Sequence, residues 1–266
     1  TRKGKHLCDW WKPEPTEPHH KALTAWTVFQ GAYADRSSVG LYQWHGTHWV
    51  RLGARSREAL KRPLHQWMDA MRWHRRGDSV IGSMVSEILA RLQADQWDPS
   101  GVMAFTNGTW RDGVFSTGHC RDDGLTFCFP FPYDAGAKCP LWHKFIGQTI
   151  GADDQIRLLR AALRWTLLPK DSSQPFAHEL VFDIHGPRRT GKGTLSEVLQ
   201  AICGGKAGVG LIKSASFSNA NALHALIGKR VAIDPDVSGH IKDPGVFNNI
   251  ASNEPVTVKK LYMDED

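Results

Sequence analysis

The run Gly186-Pro187-Arg188-Arg189-Thr190-Gly191-Lys192-Gly193-Thr194 has the residue types and spacing of a phosphate-binding loop. Such a loop wraps a phosphate with its N–H groups pointing inward. Glycines at both ends admit the backbone conformations and close approach that a β-carbon blocks. Lys192 supplies a point charge for the β- and γ-phosphate oxygens. A helix starting after it adds N-terminal N–H groups and a partial positive charge. One departure is visible: Gly193 stands where most such loops place a Ser or Thr to ligate Mg²⁺. Thr194 follows one place later and is the candidate metal ligand, directly or through water.

Hydrolysis of a nucleoside triphosphate also needs an acid to hold Mg²⁺ and orient water. Residues 228–236 read Gly-Lys-Arg-Val-Ala-Ile-Asp-Pro-Asp. The apolar triplet Val231–Ile233 reads as a strand, with Asp234 and Asp236 at its C-terminal end, where open α/β sheets bind ligands. Two Asp flanking a Pro are also ordinary turn residues. Their place downstream of the loop makes them candidates. Either can take the metal, and Asp236 is the better placed as base. The nucleotide reading implies ATP and Mg²⁺ as cofactors.

Positioning these groups requires a strand before the loop and a helix after it. Residues 180–184 (Leu-Val-Phe-Asp-Ile) predict the strand, and residues 195–202 the helix, broken by Gly204-Gly205. A polar connector, 171–178, separates this α/β part from what precedes it. Upstream, the Pro-rich residues 1–20 read as a linker. Residues 39–52 alternate around His45-Gly46 as a hairpin. Leu60, Leu64, Trp67, Met68 and Met71 fall at helical spacing, as do apolar residues from Val80 to Leu92, with a stop at Asp98-Pro99. Residues 101–133 alternate short aromatic strands with Asn107-Gly108, Asp112-Gly113 and Asp123-Gly124 turns. Residues 141–150 and 153–168 read as two more helices. The expected organisation is a linker (1–20), an α+β domain (21–170) and an α/β domain (171–266).

Composition divides at the same place. All 11 Trp lie at or before Trp165. The net charge of +6 belongs to residues 1–165, while residues 166–266 carry as many acids as bases. No apolar run is long enough for a membrane span, and residues 1–20 lack the apolar stretch of a signal peptide. The five Cys, an odd number at loose spacing, argue against a disulfide framework and for a reducing cytosol. His119, Cys120, Cys128, Cys139 and His143 cluster in sequence but contain no CxxC pair. Free thiols, buried or half-buried, are therefore preferred over zinc. The start at Thr1 suggests a piece of a longer polypeptide.

Several segments resemble the phage, plasmid and poxvirus primase-helicases of helicase superfamily 3, whose motors are AAA+ ATPases. Leu41-Tyr42-Gln43-Trp44-His45-Gly46-Thr47-His48-Trp49 is similar to a hairpin of that family's helicase-associated N-terminal domain. Phe105-Thr106-Asn107-Gly108 resembles its F-x-N-G strand start. Pro132-Tyr133-Asp134-Ala135-Gly136-Ala137-Lys138-Cys139-Pro140-Leu141-Trp142-His143-Lys144-Phe145 resembles its P-Y-D-x-x-A-x-C-P-x-W-x-x-F segment most closely. Residues 249–262 resemble a later stretch, with Asn249 where Lys is usual. The resemblance implies an N-terminal collar domain followed by an AAA+ domain, truncated on its C-terminal side. The sensor Asn and arginine finger would lie past Asp266. It also implies an ATP-driven DNA helicase acting on a single strand or fork, a homo-oligomeric hexameric ring, no membrane partner, an upstream primase domain, and the cytoplasm of a bacterial or virus-infected cell.

Lys259 and Lys260 resemble the family's pore hairpin and are the expected DNA grip. Trp44, Trp49 and Trp73 beside Arg51, Arg72, Arg75 and Arg76 have single-strand-binding chemistry, but core packing is the stronger reading for these aromatics. Two rivals remain: a DNA-binding or assembly module with an inactive phosphate loop, and a small-molecule or nucleotide kinase. Adenylate-kinase-like loops share the Gly-Lys-Gly-Thr wording, but they open their chains and need an Arg-rich lid.

Overall fold

The computed structural model describes residues 17–36, 40–52, 56–74, 77–94, 96–99, 101–167, 181–237, 241, 243–252, 254 and 256–258. They form a mixed α/β chain that falls into two compact units. One comprises the described residues up to Trp97 together with Cys120–Thr126. The other comprises Asp98–His119 and the described residues from Phe127 onward. The boundary expected at 170/171, the connector 171–178 and most of the 1–20 linker lie outside the described residues.

Three helices enclose most of the first unit's core: α1 (Pro18–Phe29), α2 (Ser56–Ala70) and α3 (Asp78–Arg91). Leu60, Leu64 and Met68 recur every fourth residue, so they share one face of α2, and all three are fully buried. Ile81, Met84, Val85 and Ile88 do the same for α3. Each such side chain stabilises the fold by roughly 1.5–3 kcal/mol relative to exposure. Helix α1 takes in residues 18–20, which composition assigns to the linker. Pro18 suits a first helical turn, where its missing N–H would have no partner anyway. The inward residues are Ala22, Ala25 and Phe29. Two alanines give a weak apolar stripe, which is why the helix is hard to read in the sequence.

An antiparallel sheet, β1 (Tyr33–Arg36), β2 (Gly40–Trp44) and β3 (Trp49–Arg51), completes this unit. Its β2–β3 hairpin turns around His45-Gly46 as the sequence predicts, with Trp44 opposite Trp49. The Trp49 indole donates to Arg121 O at 2.9 Å, and the Trp44 and Trp97 rings lie 5.4 and 6.1 Å away. Trp73 is 1% exposed and stands edge-on to Trp67 at 4.9 Å. Trp49 and Trp73 are therefore framework and offer no ring face to a base. Trp44 is half-buried and Arg72 exposed, while Arg75 and Arg76 lie outside the described residues.

The second unit opens with a sheet ordered β6-β5-β4-β7: β4 (Val102–Phe105), β5 (Gly108–Arg111), β6 (Val114–Thr117) and β7 (Cys128–Phe129). Its β4–β5 turn explains the Phe105-Thr106-Asn107-Gly108 motif. The Asn107 side chain donates to Tyr133 O at 3.0 Å and accepts from Tyr133 N–H at 2.8 Å. Gly108 has φ +157°, and a β-carbon there would meet Ser116 O at 2.2 Å. Asp134 then accepts from Gly136 N–H at 2.8 Å, and Pro140 opens α4 (Pro140–Thr149). The aromatic, turn and proline positions of this segment thus deliver one helix to one place. Helix α5 (Asp153–Leu167) follows it.

Beyond lie α6 (Lys192–Ile202), β8 (Val209–Leu211), β9 (Val231–Ile233) and α7 (Pro244–Ala251). β8 and β9 pair in parallel, Val209 opposite Val231 and Leu211 opposite Ile233. Ile212, Phe217 and Leu223 form a small buried cluster, with Phe247 and Ile250 of α7 packed against it.

One expected element is corrected. Residues 181–187 are not a strand, and Val181, Phe182 and Ile184 are 56%, 42% and 51% exposed. An apolar run becomes a parallel strand only with a hydrogen-bonded neighbour and cover on both faces. Among the described residues neither β8 nor β9 pairs with this segment. A second correction concerns the thiols: Cys203 is buried and Cys128 half-buried as expected, but Cys120 and Cys139 are exposed.

Candidate nucleotide site

Helix α6 begins at Lys192, inside the glycine loop and one turn before the expected Leu195. Gly191, its N-cap, is left-handed at φ +86°, and Arg189 is left-handed at φ +65°. A left-handed residue followed by a helical one turns successive N–H groups toward one side, the geometry of an anion-binding nest. Leu195 N–H is bonded to Gly191 O at 3.0 Å. The N–H groups of Lys192, Gly193 and Thr194 precede the helical ladder, and no side chain caps the end. The loop thus presents donors with no partner among the described residues on a helix start, where negative charge is favoured.

The Lys192 ammonium folds back over the loop. It donates to Gly186 O at 2.7 Å and Pro187 O at 2.6 Å, and lies 3.4 Å from Thr190 Oγ1. The Thr190 hydroxyl donates to Pro187 O at 2.8 Å. Phosphate oxygens would be better partners, because their negative charge adds a Coulombic attraction to the ammonium that a neutral carbonyl lacks. Arg188 and Arg189 are exposed beside this turn. Gly193 has open space around it, so a side chain there would fit; Thr194 is exposed in the first turn of α6.

Gly191 is constrained by packing as well as by φ. A β-carbon there would lie 3.0 and 3.1 Å from the Phe145 ring and 3.1 Å from Thr149 Cγ2. Helix α4 therefore presses directly on the loop.

Asp234 follows β9 directly, as the sequence predicts. Its carboxylate accepts from Ser214 N–H at 2.7 Å and from Asp236 N–H at 3.1 Å. Burial pushes its pKa up, but hydrogen bonds from Ser214 and Asp236 and the charge of Lys213 outweigh this and hold it below the ordinary carboxylate value. Asp234 is thus ionised at neutral pH. Asp236 is exposed. Among the described residues no hydrogen bond or ion pair joins either Asp to the loop. Lys259 and Lys260 lie outside the described residues. Among the described residues no group of three or more His, Cys, Asp or Glu is arranged to hold a metal ion, so His119, Cys120, Cys128, Cys139 and His143 form no such cluster.

Sequence reasoning overlooked Ser214, Lys213, Phe145 and Thr149 as parts of this region. The first two follow the apolar run Val209–Ile212, whose strand character could have been read. The other two carry no chemical signal, because their role is steric.

No helix among the described residues is long and apolar enough to cross a membrane. No curated protein matches the chain. Residues 24–151 match the family model described as D5 N terminal like. The hairpin motif, the Phe105–Gly108 motif and the 132–145 segment all fall inside that match, and the phosphate loop and its acids fall outside it. Residues 24–151, from within α1 to just past α4, are therefore similar to a domain found at the N-terminus of phage and viral primase-helicases.

Proposed function

We propose that this chain is a segment of a phage, viral or mobile-element primase-helicase of superfamily 3, in which residues 181–258 belong to an AAA+ ATP-binding part. The observation that carries the reading is the loop itself: among the described residues, the first N–H groups of α6 have no partner and the Lys192 ammonium is held by neutral oxygens. The D5 N-terminal-like match directly upstream supports it. In this reading the N–H groups of Gly186 and of Arg188 to Thr194, with Pro187 shaping the loop, and the Lys192 ammonium hold the phosphates of ATP. Thr194 and the ionised Asp234 fit a cation, and Mg²⁺ would neutralise phosphate charge when bound. Asp236, exposed next to Asp234, would orient water. Turnover then depends on a neighbouring subunit in a hexameric ring, and Lys259 and Lys260 grip the DNA strand.

The test is DNA-stimulated ATP hydrolysis, together with binding of a fluorescent ATP analogue to this chain and to one extended beyond Asp266. Lys192→Ala should abolish nucleotide binding and hydrolysis while leaving the circular dichroism spectrum unchanged. Equal ATP binding by that variant would sink the site assignment. A second reading, a DNA-binding or assembly module with an inactive loop, draws on the exposed segment 181–187, which pairs with no strand among the described residues. It predicts DNA binding without hydrolysis in both lengths of chain.

A further inference from the structure

Helices α4 and α5 of the second unit enclose a groove of about 260 Å³, lined by His143, Ile146, Asp153, Ile156, Arg157 and Arg160. Arg157, Arg160 and Arg164 recur at helical spacing, so they share one stripe of α5, and all three are exposed. Beyond its first turn α5 carries no acid, and among the described residues no carboxylate pairs with these three cations. A solvated helix face usually mixes charge signs along its length; this stripe has Asp153 at its start and only cations after it. Arg157 and Arg164 stand about 10 Å apart along the axis, so the stripe can offer cations to successive phosphates of one strand.

The Arg160 guanidinium reaches His143 Nδ1 at 3.5 Å. A His143 that accepts there keeps its proton on Nε2, which gives the groove a further donor for an anion. Ile146 and Ile156 supply apolar surface between the charged groups. Helix α4 has a second contact: its Phe145 and Thr149 abut Gly191 of the loop. One short helix therefore borders both the cationic groove and the candidate phosphate loop.

We infer that the α4–α5 groove binds the phosphate backbone of single-stranded nucleic acid through Arg157 and Arg160, with Arg164 continuing the cationic stripe beyond the groove lining. This rests on the nucleic-acid part of the reading above but concerns a surface separate from Lys259 and Lys260. Asp153 is the only acid in the lining, so it opposes binding.

The test measures anisotropy of a fluorescent single-stranded oligonucleotide across a salt series. Arg157→Gln/Arg160→Gln should weaken oligonucleotide binding about tenfold and lower the salt slope by about 1.4, about 0.7 for each lost phosphate contact. Arg157→Lys/Arg160→Lys should retain the slope, and Asp153→Asn should tighten binding. A matched control on exposed α2 residues, Arg57→Gln/Arg62→Gln, should leave affinity and slope as they are. An unchanged slope in the groove variant, or equal loss in the control, would overturn the assignment. Displacement of the oligonucleotide by polyglutamate at equal charge concentration would also overturn it, in favour of an acidic protein partner. If the unaltered chain bound no oligonucleotide at all, the DNA reading would fall with it. A failed groove variant against normal wild-type binding would remove only the groove.

Discussion

The ring of Phe145 lies so close to Gly191 that a β-carbon on the glycine would sit 3.0 Å from Cε2. Phe145 belongs to the helix that ends the segment matching the D5 N-terminal-like family, and Gly191 is the N-cap of the helix that starts in the phosphate loop. The loop's shape is thus supported from outside itself, by a residue far upstream whose only qualification is its size and position.

Two glycines of the loop should respond oppositely to alanine. Gly191→Ala places an L-residue in a left-handed conformation, at a cost of about 1–2 kcal/mol, and forces Phe145 or Thr149 to move. It should lower stability and weaken ATP-analogue binding at least tenfold. Adding Phe145→Leu should recover part of both. Gly193→Ala sits in helix α6 with open space around it and should stabilise by about 0.5–1 kcal/mol. Urea denaturation and a nucleotide titration on the same samples check this. Identical behaviour of the two substitutions would mean that the helix does not press on the loop.

Asp234 should matter for stability as well as for any cation. It ties the end of β9 to Ser214, which is 7% exposed. Asp234→Ala leaves that buried N–H without its partner and should cost about 1–3 kcal/mol; Asp234→Asn, which keeps an acceptor, should cost less. The carboxyl's pKa is depressed in the fold, so its contribution is complete above the ordinary value of 3.8 and is lost as pH falls through the lowered value. The stability gap between wild type and Asp234→Asn should be flat from about pH 5 to 8 and shrink below about pH 4. A gap that widened on acidification would reverse the sign of the shift.

The sequence shows the helices α2–α5, the tryptophan hairpin and β9 because each carries its own period or turn residues. Leu60, Leu64 and Met68 announce a helix face, and Asn107-Gly108 announces a turn. Helix α1 hides because Ala22 and Ala25 weigh little in an apolar pattern. The segment 181–187 misleads for the converse reason: its apolar residues satisfy a strand pattern, but pairing is a property of neighbours, and no described strand lies beside it. In the candidate site, chemistry is legible and support is not. Lys192 and Asp234 stand out by type and spacing, whereas Ser214, Phe145 and Thr149 act through a backbone N–H or through bulk.

The tryptophans beside arginines invite a base-stacking role, and Trp73 is the case that separates it from packing. It is 1% exposed, edge-on to Trp67, with the Lys21 ammonium 5.9 Å from its ring centroid. Trp73→Ala should cost about 3–5 kcal/mol, as for other large buried aromatics, while Trp73→Phe should cost much less. At temperatures where Trp73→Phe is folded, its affinity for a single-stranded oligonucleotide should equal wild type. A Phe variant that stays stable yet loses oligonucleotide binding would return this side chain to the DNA.

Arg230 tests whether charge or packing holds the approach to β9. Its guanidinium lies 4.9 Å from the Phe127 ring centroid and 5.3 Å from that of Phe129, and donates to Leu167 O at 2.7 Å. Its Nε is buried without a hydrogen-bond partner. Burial lowers its pKa, an effect that Asp98 and Cys203 offset in part. A flat cation on two rings gains from stacking, yet a largely buried charge with one unpaired donor carries a desolvation cost that an apolar side chain avoids. Arg230→Ala should therefore lose about 2–4 kcal/mol, chiefly through the void beneath Phe127 and Phe129. Arg230→Met, which keeps the stem and drops the charge, should stay within about 1 kcal/mol of wild type. Arg230→Lys should fall between them, because a compact, strongly hydrated ammonium cannot lie flat on the rings. Chemical denaturation of the three variants ranks them. If Lys matched wild type and Met matched Ala, the positive charge itself would be what holds this corner.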